Sequence, residues 1–357
     1  MTASALFLAC SQCFSDRGLL LDAEQIGIDD PSPCPRCGSS SGRKLPAAGV
    51  GALAHRFFVW GSLARFKYGA APLVVFNESQ KTSIKVSPWL QRDMEQIQEL
   101  LGVGFFHYGP RYWMFGEVTP LLALQKAKHR ASIIDRIVRE YPKKIVDTDK
   151  SFYRIRKAPK LPDKPHEYDS PPPHVAGGGR LDTSGLPVLY ASPDLQVCVH
   201  ECRVTAEDEL YVATLAPTRP LTFLDLSVVL KEDDHITEFE SLDMAVHMLF
   251  LAGKHSYRLT RAIAAGAHAA SFDGLIYPSY FSLLRLGAMP FETTYGMSHR
   301  RIPQLQEHEQ AKAIPNLAIF GRPIDEGKVT VQCVNKLVIN RVAYDFHFGP
   351  ATIDQEA

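Results

Sequence analysis

Hydrophobic positions change their spacing along this chain near residues 142–150. Before that point the pattern is mainly helical. Residues 51–68 are apolar and aromatic, and 93–101 read as a short helix ahead of Gly102-Val103-Gly104. Residues 120–141 read as a longer helix, with Leu121, Leu122, Leu124, Ile133, Ile134 and Ile137 as its buried face. After that point come short apolar runs bounded by turn residues, at 188–191, 210–215, 221–226, 275–277, 316–320 and 329–333. A basic strand-like segment, Phe152-Tyr153-Arg154-Ile155-Arg156, opens the series, and 336–348 alternate like closing strands. Helices are expected at about 236–253 and 257–270, after a charged turn at 231–235. The expected class is α+β. A mixed, strongly twisted β core with packed helices is assigned to 148–350, a mainly helical domain to 46–147, and a cysteine-bearing segment to 1–45.

The 357 residues suffice for two domains and a sizeable core. Lys+Arg and Asp+Glu balance at 39 each, so no global field favours nucleic acid or a membrane surface. Arg36, Arg43 and Lys44 near the first cysteines are too few to define a nucleic-acid surface. No apolar run approaches the roughly 18 residues of a spanning helix. The run ending at Cys10 is short and lacks the basic start of a leader. A cytoplasmic protein without a membrane partner is expected, and a homodimer is compatible with the sequence.

The seven cysteines do not form a disulfide framework: four fall in the first 37 residues, and Cys198, Cys202 and Cys333 are scattered. Cys10-x-x-Cys13 and Cys34-Pro35-Arg36-Cys37 stand twenty residues apart. Each pair makes a tight turn that points two thiolates at one ion, and two turns complete the tetrahedral shell of Zn²⁺. All four positions are then filled, so the metal is expected to be structural. A redox Cys-x-x-Cys is the alternative.

One stretch, residues 177–203, carries unusual chemistry. Gly177-Gly178-Gly179 precedes Arg180, a short strand carries Tyr190, and a helix expected to start at Ser192-Pro193 presents Glu201. Glycines let backbone approach whatever the guanidinium binds, and arginine suits bidentate contact with phosphate. Later, Ser279 follows a short strand that Pro278 ends, which suits a hydroxyl offered at a cleft; a plain turn serine has the same signature. The aromatic patch Phe105, Phe106, Tyr108, Tyr112, Trp113 and Phe115 reads first as core or interface, and second as a ligand platform.

Taken in order, Gly178-Gly179-Arg180, Leu189-Tyr190-Ala191, His200-Glu201 and Tyr277-Pro278-Ser279 resemble the RES domain, a family named for its Arg, Glu and Ser. Phe152-Tyr153-Arg154 resembles its opening strand, and Asn316-Leu317-Ala318-Ile319-Phe320 its closing segment. The region ahead of it resembles the HEPN/RES N-terminal domain. The resemblance implies a fold related to ADP-ribosyltransferases and an enzyme for which NAD⁺ is substrate. RES toxins of toxin–antitoxin pairs break the nicotinamide–ribose bond, with inorganic phosphate or water as acceptor. Carried over by position, Arg180, Tyr190, Glu201 and Ser279 are the implied catalytic residues. Arg154, Arg180, Tyr190 and Ser279 are the implied NAD⁺-binding ones. An antitoxin or trigger protein is the implied partner.

Three departures stand out. Leu181 occupies a position where relatives carry an aromatic, which is expected to weaken stacking on the substrate. His200 beside Glu201 is unusual. A longer segment between Glu201 and Ser279 suggests a lid or partner surface at about 228–256. No Arg-x4–6-His element occurs in 46–150, so RNase activity is not expected of that half. Three functions fit the residues. They are NAD⁺ phosphorolysis or hydrolysis as a toxin or abortive-defence effector, ADP-ribosyl transfer to a macromolecule, and a non-catalytic RES/zinc binding module.

Overall fold

The computed structural model describes residues 7–65, 70–108, 118–282, 286, 292–294 and 297–355. The chain divides into two units. Among the described residues the first comprises 7–65, 70–108 and the tail from 344, and the second begins at 118 and ends at 343.

In the first unit, β1 (Phe7–Cys10) leads into a turn and then α1 (Arg17–Ile26), which Asp16 caps by accepting from the Leu19 N–H at 2.9 Å. The chain returns as β2 (Lys44–Pro46), antiparallel to β1, and continues into α2 (Ala47–Ala54). Next come β3 (Leu63–Arg65), β4 (Ala70–Pro72), β5 (Val74–Asn77) and β6 (Ile84–Val86), then α3 (Pro88–Leu101) and β7 (Gly104–His107). β3 pairs with β4, β5 with β7, and β6 with the tail strand Ile353–Gln355. α3 starts five residues before the expected position 93, because Pro88 suits a first helical turn. It stops at Gly102, whose φ of +66° suits glycine. Leu19, Leu53, Phe57, Phe58, Met94, Ile97 and Phe105 form the core of this unit. Phe105 thus belongs to the core, while Tyr112, Trp113 and Phe115 lie outside the described residues.

The second unit begins with two helices where one was expected. α4 (Thr119–Gln125) and α5 (Ala127–Glu140) are separated at Lys126, which is extended. Arg130 reaches back to the Leu124 and Gln125 carbonyls at 2.7 and 3.2 Å, satisfying acceptors that the end of α4 exposes. Leu122 is exposed rather than part of the buried face. β8 (Lys143–Val146), expected with the preceding domain, pairs with a strand of the second unit.

Then come β9 (Phe152–Lys157), β10 (Val188–Ala191), α6 (Leu195–Glu201), β11 (Leu210–Pro217), β12 (Leu221–Asp225), α7 (Leu242–Leu251), α8 (Tyr257–Ala269) and β13 (Gly274–Pro278). A short hairpin, β14 (Thr293–Thr294) and β15 (Met297–Ser298), precedes β16 (Pro315–Phe320) and β17 (Val329–Leu337). The strands form a five-stranded sheet, ordered β10-β16-β13-β12-β8, and a three-stranded sheet, β17-β11-β9. β12 and β13 are parallel and every other neighbouring pair is antiparallel, so the sheet is mixed.

Strand alternation sorts the residues of the larger sheet between two faces. Leu189, Ile276, Leu317 and Ile319 join Phe152, Ala213, Leu215 and Phe223 in a core built by both sheets. Their neighbours Tyr190, Tyr277 and Asn316 therefore point the other way, and Tyr277 stacks on Phe250 of α7 there, ring centroids 5.3 Å apart. Within the 228–256 span expected as a lid or partner surface, α7 is core: Leu242, Met244, Ala245, Met248 and Leu249 are fully buried. Arg300 pins it through a bidentate pair with Asp243 at 2.7 and 2.8 Å. Expected strand structure at 336–348 ends at Leu337, which pairs with Leu210, the first residue of β11. Beyond it no partner strand continues the ladder among the described residues.

Candidate active site and cysteine cluster

The cysteine cluster is local. Cys10 ends β1, Cys13 closes the turn after it, and Cys34 and Cys37 flank a second turn. The Sγ atoms stand 3.9 Å (Cys10–Cys13), 3.5 Å (Cys10–Cys37) and 3.6 Å (Cys13–Cys34) apart, and all four lie within 4.8 Å of one another. A tetrahedron with Zn–S bonds of about 2.3 Å has edges of about 3.8 Å, so the donor set fits zinc. Burial, with Cys37 and Cys34 adding, pushes the Cys10 thiol up to about 11, and burial pushes Cys13 up as well. Packed thiols resist ionising together without a cation among them. Lys44, fully buried, closes the adjacent loop by donating to the Ser39, Ser40 and Gly42 carbonyls at 3.3, 3.4 and 2.6 Å.

The second cluster assembles residues far apart in sequence. Glu201 is the last residue of α6. That helix begins at Leu195, not at Ser192-Pro193, because Asp194 takes the cap by accepting from Val197 N–H at 2.9 Å. Ser192 instead donates to the Pro315 carbonyl at 3.0 Å, fastening the strand-to-helix turn to β16. Cys198 and Cys202 dock α6 on β9, their thiols reaching the Tyr153 and Ile155 carbonyls. This leaves Glu201 solvent-exposed but tethered. Its Oε1 accepts from Ser279 Oγ at 2.6 Å and from Asn316 Nδ2 at 2.7 Å. Among the described residues no hydrogen bond to Oε2 is recorded. Ser279 is buried, and its own Oγ accepts from the Phe281 N–H at 3.1 Å.

Arg180 lies on the glycine loop, which Tyr190, Asp182 and Arg261 hold together with Thr260, whose hydroxyl donates to the Arg180 carbonyl at 2.5 Å. The Tyr190 hydroxyl donates to Asp182 Oδ1 at 2.8 Å and accepts from the Leu181 and Asp182 amides at 2.8 and 3.2 Å. Asp182 Oδ2 accepts from the Gly177 amide at 2.5 Å. Arg261 of α8 donates to the Gly177 carbonyl at 2.7 Å and to that of Gly179 at 2.6 and 3.0 Å. A Cβ on Gly179 would meet Asp182 Oδ1 at 2.1 Å, so this position requires glycine, whereas one on Gly178 would meet nothing within 4 Å. The Arg180 guanidinium lies 4.9 Å over the Tyr257 ring and donates to the Ala252 carbonyl at 3.0 Å and, at a longer 3.4 Å, to that of Leu249. These contacts leave N–H groups over for an anion.

Burial pushes the Tyr277 phenol well above its ordinary value, with the charges of Glu201 and Tyr190 adding and Arg180 opposing. Tyr277 stacks on Phe250, over which the Arg180 guanidinium lies at 6.0 Å, and stands opposite Asn316, the donor to Glu201. Two expectations change. Tyr190 spends its hydroxyl on the loop, and burial, with Asp182 adding, pushes its pKa up, so it serves as the loop's anchor. Leu181 is fully buried, so the residue after the arginine packs in the interior. Arg154 is also buried, donating to the Tyr190 and Asp169 carbonyls at 3.0 Å each, and burial pulls its pKa down to about 10. It buttresses β10 from below.

Sequence reasoning missed Asn316, Asp182, Arg261 and Tyr257. Only the first had a signal, a polar residue opening an apolar strand. A further group, Glu292, His299 and Glu309, has metal-ligand character, but the Lys312 ammonium sits between the two carboxylates and supplies the cation. No helix is long and apolar enough to cross a membrane among the described residues.

Residues 151–292 match the family model of the RES domain. No curated protein matches the chain. Among solved structures, a chain in the crystal structure of the M. tuberculosis MbcT-MbcA toxin-antitoxin complex is similar at 13% identity and a TM-score of 0.31, over 57% of this chain and 91% of that one.

Proposed function

We propose that this chain, which carries a RES domain over residues 151–292, degrades NAD⁺ by breaking its nicotinamide–ribose bond. Inorganic phosphate or water is the acceptor, and the biological role is that of a toxin or abortive-defence effector, restrained by an antitoxin or set off by a trigger protein. The observation that carries this reading is Glu201: one oxygen is held by Ser279 and Asn316, and the carboxylate is open to solvent. As the C1′–N bond breaks, its electron pair leaves with nicotinamide and positive charge grows on the ribose. A fixed carboxylate stabilises that charge and accepts from a ribose hydroxyl. Nicotinamide leaves neutral, so no strong general acid is needed. Arg180 supplies a bidentate cation for a phosphate of the dinucleotide or of the acceptor. Ser279 and Tyr190 work behind these two, one on the carboxylate and one on the loop.

The four cysteines are assigned a structural zinc ion, held by Cys10, Cys13, Cys34 and Cys37, with no open coordination position. ADP-ribosyl transfer to a macromolecule is the second reading, favoured by the exposure of Glu201, which leaves room for a bulky acceptor.

The test is incubation of purified protein with NAD⁺, with and without inorganic phosphate, beside Glu201→Ala. Release of nicotinamide that needs Glu201, with ADP-ribose or its 1″-phosphate as co-product, supports degradation and identifies the acceptor. Label appearing on a macromolecule supports transfer. Equal NAD⁺ loss in wild type and Glu201→Ala overturns both.

A further inference from the structure

Two donors hold Glu201, and they differ in kind. Ser279 carries a hydroxyl that rotates about one bond. Asn316 carries a planar amide whose direction is set by its surroundings. It sits on β16 directly opposite Tyr277 on β13 and is 3% exposed. Tyr277 is in turn buried and stacked on Phe250. Strand register and burial therefore aim one N–H of Asn316 at Glu201 Oε1, 2.7 Å away.

A glutamate at the exposed end of a two-turn helix has three free side-chain torsions. Restricting them before substrate arrives removes an entropy cost from the reacting complex. Resting on the NAD⁺-cleaving reading above, we propose that Asn316 is a positioning residue: it fixes Glu201 Oε1 so that Oε2 alone is presented to the ribose. It acts through Glu201.

The test compares Asn316→Ala and the near-isosteric Asn316→Asp by kcat and KM for NAD⁺ loss between about pH 5 and 9. Losing a hydrogen bond to a charged group is expected to lower kcat of Asn316→Ala about 10- to 100-fold, with KM changed less than about twofold. Asn316→Asp is expected to stay near wild type at the acid end, where its protonated carboxyl donates to Glu201 as the amide does. It is expected to fall toward the alanine variant as pH rises and that proton leaves. A packing role would shift the variants equally at every pH. A kcat for Asn316→Ala within about twofold of wild type, or an Asn316→Asp profile parallel to wild type, overturns the proposal.

A second readout needs no turnover. The side-chain amide resonances of Asn316 in ¹⁵N-labelled protein, assigned by their loss in Asn316→Asp, are expected to move in Glu201→Ala. Unmoved resonances overturn the proposal. Moved resonances without any NAD⁺ loss by wild type support the holding role and count against the NAD⁺ reading alone.

Discussion

The cysteine cluster and the Glu201 cluster use the same device, a small set of polar groups drawn together, to opposite ends. Around the cysteines every donor faces its fellows: four thiols lie within 4.8 Å of one another, a set that a single tetrahedral ion would fill completely. Around Glu201 the donors face one oxygen and leave its twin over. A set that closes on itself spends its binding energy on the fold. A set with one acceptor left over has something to offer a ligand. The second cluster is the costlier to build, since it needs Ser279 and Asn316 buried and a glycine loop clamped at several points.

The largest test of this contrast removes the ion. Apparent zinc affinities of about 10–16 kcal/mol are folding energy where no site exists in the unfolded chain. Chelation, or Cys10→Ser, is expected to abolish amide protection around Leu19 and Leu45, as hydrogen exchange will read. Cys333→Ser, at an exposed cysteine outside the cluster, is expected to leave that protection unchanged. Protection that survives a metal-free cluster would break the comparison on its closed side.

On the open side, Glu201→Gln is expected to lower NAD⁺ consumption about 10²- to 10³-fold, the scale of losing one preorganised electrostatic group. Its melting temperature is expected to stay within about 2 °C of wild type, since an exposed side chain carries little of the fold. A large loss of stability would mean that this cluster, too, is a staple.

Smaller effects sharpen the account of the loop. Gly179→Ala is expected to cost about 1–3 kcal/mol by overpacking against Asp182, while Gly178→Ala is expected to be neutral in denaturant unfolding. Equal costs would separate the loop clamp from Arg180 placement.

The smallest effect concerns Asp273, ahead of β13. Burial raises its pKa, but hydrogen bonds from Arg219 and the Thr222 amide outweigh it and leave the carboxyl below its ordinary value. A depressed folded-state pKa gives stability that is present above the unfolded value and lost as pH falls through the folded one. With Arg219 half exposed, this is about 1 kcal/mol or less. Asp273→Asn is expected to flatten the acid limb of an unfolding curve by that amount.

The sequence alone was enough for features whose causes are local. Two Cys-x-x-Cys turns carry their own geometry, so the clustering of the four cysteines is legible wherever the chain goes. Alternating apolar runs marked β9 to β13, β16 and the start of β17, because a strand's period is written in its residues. The order of Arg180, Tyr190, Glu201 and Ser279 pointed to the RES domain. Asp194 as the true cap of α6 was legible too, but Ser192-Pro193 offered an equally good local signal, and only the anchoring of Ser192 to β16 decided between them.

Tertiary structure decided everything that depends on which strand lies beside which. Asn316 becomes a partner of Glu201 because β16 runs between β10 and β13 in a register that sets it against Tyr277. Arg154 is buried on β9 against the Tyr190 and Asp169 carbonyls, Leu181 is buried, and Tyr190 is tied to the glycine loop that Arg261 of α8 grips. None of these follows from residue type. Glu201 and Asn316 stand 115 residues apart, and Arg154 and the Tyr190 carbonyl 36 apart, and such contacts exist only once the sheet has chosen its order.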